Sequence, residues 1–206
     1  MTTNIIKNLR DCYQIPDHIP ILGKFEKCYS GKTTNASMYD AMFAAGLRLP
    51  LMALHRQLAN FLGLSINQVA PNAWRIFIGT EILWGRLSGG NHQFSLDEFF
   101  WCYRPQHIVS SQRIYHFTTW KKGLRLVLDM PDSNRNWKGR YFFVQRVDWV
   151  CHPEKWVTMP HDFNNTWGIV KDSSLAPTVF CSYFFYLFVK FLMSSFFLFQ
   201  PVFVYA

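Results

Sequence analysis

The spacing of apolar residues changes once along this chain, near Pro105, and that change restricts the folds open to it. From Ser37 to Arg104 the apolar residues recur at helical spacing. Gly46 and Gly63 follow two of the helical stretches, where the left-handed conformation of a helix end favours glycine. We therefore predict four helices in this half, over residues 37–46, 49–63, 71–87 and 95–104.

Residue types at the predicted helix starts agree with these bounds. Ser37 is a candidate N-cap, and Pro50 and Pro71 lie near the first turn of their helices, where proline is tolerated. Ser95 and Glu98 have the spacing of a capping box.

The third predicted helix decides against a DNA-reading helix-turn-helix motif. Its stripe is made of Trp74, Phe77, Ile78 and Ile82, whereas a recognition helix presents polar and basic side chains to base edges. This helix is predicted to pack in the core.

Beyond Pro105 the pattern is that of strands. Residues 113–120 alternate, and residues 124–130 place Leu124, Leu126 and Leu128 on one side, so both are predicted strands. Residues 131–136 have the composition of a turn. The predicted class is α+β, a helical N-terminal half followed by a small antiparallel strand region.

The stretch "NWKGRYFFVQRV", residues 136–147, could be a nucleic-acid platform or a buried strand with a basic edge. Arg140 and Tyr141 after Lys138 and Gly139 break the pattern of an RNA-recognition strand. Alternation would leave both faces apolar, because Tyr141 and Phe143 share one face and Phe142 and Val144 the other. A central, buried strand is predicted.

The chain divides into four predicted parts. Residues 1–33 mix proline and glycine with short apolar pairs and are predicted to be a loosely structured lead-in. Residues 34–170 form the domain, residues 171–177 a linker and residues 178–206 a hydrophobic tail.

The tail holds twelve Phe or Tyr residues and one charge, Lys190. Residues 178–199 are long enough to cross a membrane as a helix, although Lys190 near the middle costs roughly 2.5–3.5 kcal/mol on insertion. Translation of a thymine-rich noncoding stretch or intron would give the same composition, so two origins of the tail stay open.

The net charge of +8 favours an anionic partner, either nucleic acid or an acidic membrane surface. Five cysteines are widely scattered, and the first residues lack the apolar run of a signal peptide. An intracellular, reducing location is the expectation.

Candidate metal ligands are sparse. Asp129, Asp132 and Asp148 are the acids of the strand region, and a nuclease would need such carboxylates gathered on one metal. Cys151 and His152, with His161, lack the tight spacing of a zinc knuckle. No metal, cofactor or catalytic cluster is predicted.

An ordered series of blocks resembles the gypsy-type transposon domain of plant retroelements. The blocks are residues 45–79 with "GLRLPL" and "APNAWR", residues 94–104, residues 115–144 with "SNRNWKGRYFFV", and Trp149. The resemblance covers roughly residues 38–170 and implies a transposase or gag-like region of a retroelement. It supplies no catalytic residues to carry over.

Taken with the charge, the resemblance leads to an expected non-enzymatic gag-like domain that binds nucleic acid or self-associates through a basic rim. We call the following residues the basic rim: Lys121, Lys122, Arg125, Arg135, Lys138, Arg140 and Arg146. Two alternatives remain, a tail-anchored membrane protein carrying a relic domain and a metal-dependent DNA-processing enzyme.

Overall fold

The structure is a computed structural model that describes residues 3–22, 35–109, 111–120, 125–128, 130–131 and 136–145. These residues form helices and two small antiparallel sheets, so the predicted α+β class is confirmed. The helices are α1 (Thr3–Tyr13), α2 (Asp40–Ala44), α3 (Ala53–Leu62), α4 (Pro71–Leu87) and α5 (Leu96–Cys102). The strands are β1 (Ile21–Leu22), β2 (Asn35–Tyr39), β3 (Tyr103–Ile108), β4 (Ser111–Thr119) and β5 (Tyr141–Gln145).

The first sheet has β5 at its centre, in the order β1-β5-β2. Val144 lies opposite Ile21 on one side and Ala36 on the other. Phe142 and Val144 are fully buried and Phe143 nearly so. The predicted central, buried strand is confirmed, because apolar residues on both faces suit a strand that is covered on both sides.

The second sheet is the β3–β4 hairpin, which continues directly from α5. Two contacts attach β4 to the short 3₁₀ turn between α3 and α4. Val69 forms a parallel bridge with Tyr115, and the Gln68 side-chain amide donates to the Arg113 carbonyl at 3.0 Å. The hairpin is therefore held against the helical part of the fold.

Most of the predicted helix ends are confirmed. Gly46 and Gly63 have φ angles of +106° and +62°, which glycine adopts without a steric penalty. Helix α4 begins at Pro71, as predicted. The capping box of α5 is formed, with the Ser95 N–H donating to Glu98 Oε2 at 2.8 Å.

Helix α4 is a core helix, as the sequence indicates, along the face that carries Trp74, Phe77, Thr80 and Trp84. Trp74 and Phe77 are fully buried and Ile78 is half-buried, whereas Ile82 is 39% exposed. Ile82 thus lies off the packed face of α4, since Trp84, further along the helix, contacts Phe94 of the core.

Two local predictions are wrong. Ser37 does not cap a helix but lies in β2, opposite Phe143, and α2 begins three residues later at Asp40. Residues 125–128 form no strand, because the Leu126 N–H donates to the Tyr103 hydroxyl at 3.0 Å instead of to a neighbouring strand. In both places tertiary pairing overrides the local pattern.

The expected loosely structured lead-in is also wrong for residues 3–22. Helix α1 occupies about half of residues 3–22, and Leu9, Ile15 and Ile19 are buried in the core. The Arg10 guanidinium donates to the carbonyls of Pro16 and Ile19 at 2.7 and 2.6 Å, which fixes the turn after the helix. This segment belongs to the domain, because β1 pairs with β5.

The predicted linker and tail lie outside the described residues, as does the candidate membrane span at residues 178–199. Within the part of the chain that the structure describes, no helix has both the length and the apolar character needed to cross a membrane.

Candidate nucleic-acid interface

Three of the seven residues of the basic rim fall within the described residues, and all three are exposed: Arg125, Lys138 and Arg140. The other four lie outside the described residues: Lys121, Lys122, Arg135 and Arg146.

Lys138 lies in a 3₁₀ turn, Trp137–Gly139, directly before the buried strand β5. The turn is entered through Asn136 in the left-handed conformation and is anchored by Trp137, whose ring meets Tyr39 edge-on at 4.5 Å. The Lys138 ammonium lies 5.7 Å from the centre of the Trp137 ring, within cation–π range. Trp137, which is itself packed against Tyr39, thus supports the exposed ammonium of Lys138.

Arg140 differs from Lys138 because it already has a carboxylate partner. Its guanidinium lies 2.6 Å from Asp40 Oδ2, and its side chain is 80% exposed while that of Asp40 is 15% exposed. The same carboxylate accepts a hydrogen bond from the Tyr13 hydroxyl at 2.9 Å. Arg140 can meet a phosphate only in competition with Asp40.

Arg125 lies next to a residue that is bonded to the β3–β4 sheet. Its neighbour Leu126 is held by the Tyr103 hydroxyl at the start of β3, and burial raises the pKa of that phenol. Val127 approaches Gly79 of α4, since a Cβ built there would lie 3.0 Å from a Val127 methyl. The described rim residues are therefore anchored at two places, the β2–β5 pair and the α4–β3 side.

Another basic residue, outside the predicted rim, contacts an aromatic ring. The Arg104 guanidinium lies 5.3 Å from the centre of the Trp120 ring. One signal in the sequence could have drawn attention to it: residues 99–128 contain five Lys or Arg residues and no Asp or Glu.

Among the described residues, the more buried of the two ion pairs joins α3 to α4. His55 Nε2 lies 3.2 Å from Glu81 Oε2, and the imidazole packs between Trp74 and Phe77. His55 is 2% exposed, so it contacts the core and not a solvent-facing cleft. Among the described residues, His55 Nδ1 has no hydrogen-bond partner. We therefore interpret the His55–Glu81 pair as a structural contact between the two helices.

Within the described ranges no group of three His, Cys, Asp or Glu residues is placed to hold a metal ion. The acids and metal-ligating residues weighed from the sequence lie outside those ranges: Asp129, Asp132, Asp148, Cys151, His152 and His161.

The described residues define an α+β domain with exposed cations at its margin. No protein-family model matches the chain, and neither a curated protein nor a solved structure matches it.

Proposed function

We propose that this chain is a non-enzymatic, gag-like domain of transposon origin that binds nucleic acid through its phosphates. The origin rests on the ordered sequence blocks alone. The binding rests on one observation above all: the segment 136–145 buries Phe142, Phe143 and Val144 while Lys138 stands exposed on the turn before them.

The chemistry of such a surface favours binding without sequence choice. Lysine and arginine contacts to phosphate position a protein on nucleic acid but do not read bases. They act by releasing counterions, so affinity falls steeply as salt rises. The net charge of +8 adds long-range attraction to a polyanion.

Self-association through the same rim is the weaker alternative. Two copies of a basic surface repel each other, and a self-complementary interface needs matched charges. Among the described rim residues only Arg140 has an acidic neighbour, Asp40, and that pair is internal. A polyanion can neutralise the basic rim without an acidic surface on a second copy of the chain.

Filter binding of the full chain tests the proposal, with single-stranded and duplex oligonucleotides over a salt series. The variant Arg125→Gln/Lys138→Gln should weaken binding to both probes. For each lost phosphate contact the salt slope should fall by roughly 0.9 with the duplex and roughly 0.7 with the single strand. The control Lys7→Gln/Arg86→Gln removes the same charge from exposed residues elsewhere. Absence of binding by the unaltered chain at low salt would refute the proposal.

A further inference from the structure

The β3–β4 hairpin is a basic and aromatic element that the predicted rim does not include. It lies within the stretch 99–128, which carries five of the chain's 21 Lys and Arg residues and no Asp or Glu. Arg104 and Arg113 belong to the hairpin, and neither has a carboxylate partner in the described part of the chain. The hairpin therefore presents positive charge that nothing described there neutralises.

The pairing register separates the hairpin into an inner and an outer face. Near α5, Tyr103 and Pro105 on β3 lie opposite Thr119 and Phe117 on β4, and all but half-buried Thr119 are buried against the core. Towards the tip the same face carries exposed His107. The outer face holds the alternate residues: Gln106 is exposed, Arg104, His116 and Thr118 are half-buried, and Ile114 is fully buried. We call the following residues the outer strip: Arg104, Gln106, His116 and Trp120.

The aromatic ring of the outer strip is held in place before any ligand arrives. Trp120 Nε1 donates to the Phe100 carbonyl at 2.8 Å, and the Trp120 N–H donates to the Cys102 carbonyl at 3.3 Å. Arg104 lies diagonally across the ladder from Trp120, which brings its guanidinium to the ring. Such a fixed ring and planar cation can stack with a base and contact its phosphate with little loss of side-chain freedom.

The polar members of the strip suit the same ligand. Gln106 lies directly opposite His116, and Gln106 is exposed. Burial, and next the charge of His107, lower the pKa of His116, so this imidazole is neutral at neutral pH. A neutral imidazole can stack or hydrogen-bond without adding to the repulsion between the nearby cations.

The packing of the hairpin argues for single strands over a duplex. A β-ribbon that reads the major groove must enter a groove about 12 Å wide. Here one face of the ribbon is packed on the helical part of the domain, as the burial of Pro105 and Phe117 shows. The accessible residues of the ribbon are the outer strip and, near the tip, His107, Val109 and Arg113, and a surface of this kind can receive unstacked bases.

A membrane surface fits the hairpin less well. Val109 at the tip is 89% exposed, but the strip behind it is polar and cationic, and one valine buries little apolar area in a bilayer. We infer that the outer strip is a contact surface for single-stranded nucleic acid, with Trp120 and Arg104 as its centre. This inference rests on the proposed function and assigns it a preferred substrate class.

Fluorescence anisotropy of the full chain with a labelled oligothymidylate and with a duplex of matched length tests the inference. Trp120→Leu should weaken single-strand binding roughly tenfold and leave duplex binding within about twofold, because only unpaired bases can stack. Trp120→Phe should retain most of the affinity. Arg104→Gln should lower the single-strand salt slope by roughly 0.7, whereas the exposed control Arg86→Gln should weaken both probes slightly and equally.

The outcomes separate this inference from the proposed function. Unchanged single-strand affinity in both Trp120→Leu and Arg104→Gln, with binding lost in Arg125→Gln/Lys138→Gln, would overturn the outer strip alone. If Trp120→Leu fails to fold, Trp120→Phe and Arg104→Gln decide, and normal single-strand affinity in Arg104→Gln overturns the inference. Trp120-dependent binding to phosphatidylserine vesicles in place of the oligonucleotide would also overturn it. Absence of binding to any oligonucleotide at low salt removes both.

Discussion

Tyr13, Asp40 and Arg140 form a hydrogen-bonded chain that joins α1 to the start of β5. The Tyr13 hydroxyl donates to one oxygen of Asp40, and the Arg140 guanidinium lies against the other. Burial, followed by the hydrogen bond and charge of Asp40, raises the pKa of Tyr13 to about 12. The phenol is thus held protonated by the fold.

Replacing Tyr13 by Phe should destabilise the domain by roughly 1 kcal/mol below pH 10, because it removes one hydrogen bond and keeps the ring contact with Phe43. The folded pKa exceeds the ordinary value of 10.0, so this stability is complete below pH 10 and is lost as pH rises towards about 12. Urea unfolding across this range should show the gap between Tyr13→Phe and the unaltered chain closing. A gap that stays constant would contradict this assignment.

At the scale of elements, the close approach of residues 125–128 to α4 depends on Gly79. A Cβ at this position would lie 3.0 Å from one Val127 methyl and 3.4 Å from the other. Alanine would gain roughly 1 kcal/mol of helix propensity but would press on Val127. The glycine therefore lets this segment, which carries Arg125, pack against α4.

A double-mutant cycle tests that contact. Gly79→Ala should be more favourable in the Val127→Ala background than in the unaltered chain, by about 1 kcal/mol, because the smaller side chain makes room for the new methyl group. The free energy of unfolding of the four proteins gives the coupling directly. Additive effects would show that residues 125–128 do not pack on α4 as described.

The elements that were predicted correctly are specified by residues within the element or next to it in the sequence. Helix α4 begins at a proline, α5 has its capping box, and β5 alternates between two apolar faces. The errors arise where distant residues decide. Ser37 is drawn into β2 by pairing with β5, and Leu126 is bonded to Tyr103. Helix α1 was missed because its pattern spans only 11 residues, and the prolines and glycines that follow it, from Pro16 to Gly31, favour an irregular structure for residues 1–33 as a whole.

The same limit applies to the candidate interface. Exposure of Lys138 follows from its place before an apolar run, which the sequence displays. The pairing of Arg140 with Asp40 and of Arg104 with Trp120 depends on strand register, which one sequence does not specify. The sequence therefore identifies candidate cations but does not show which of them already have partners within the fold.

At the scale of the whole molecule, the described residues place aromatic side chains inside and cations at the margin. Trp74, Phe77, Phe99 and Phe142 are fully buried, while Arg125, Lys138 and Arg140 are exposed. An excess of eight positive charges with this arrangement is suited to a polyanion. We propose that these cations bind phosphates.

The salt dependence of affinity for a single-stranded oligonucleotide tests that claim most directly. The logarithm of the association constant should fall linearly with the logarithm of salt concentration between about 50 and about 200 mM, with a slope of about −2 for roughly three phosphate contacts. The full chain is the protein to use, because residues 3–22 belong to the fold. An affinity that does not change over this range, or no binding at its lower end, would contradict the account.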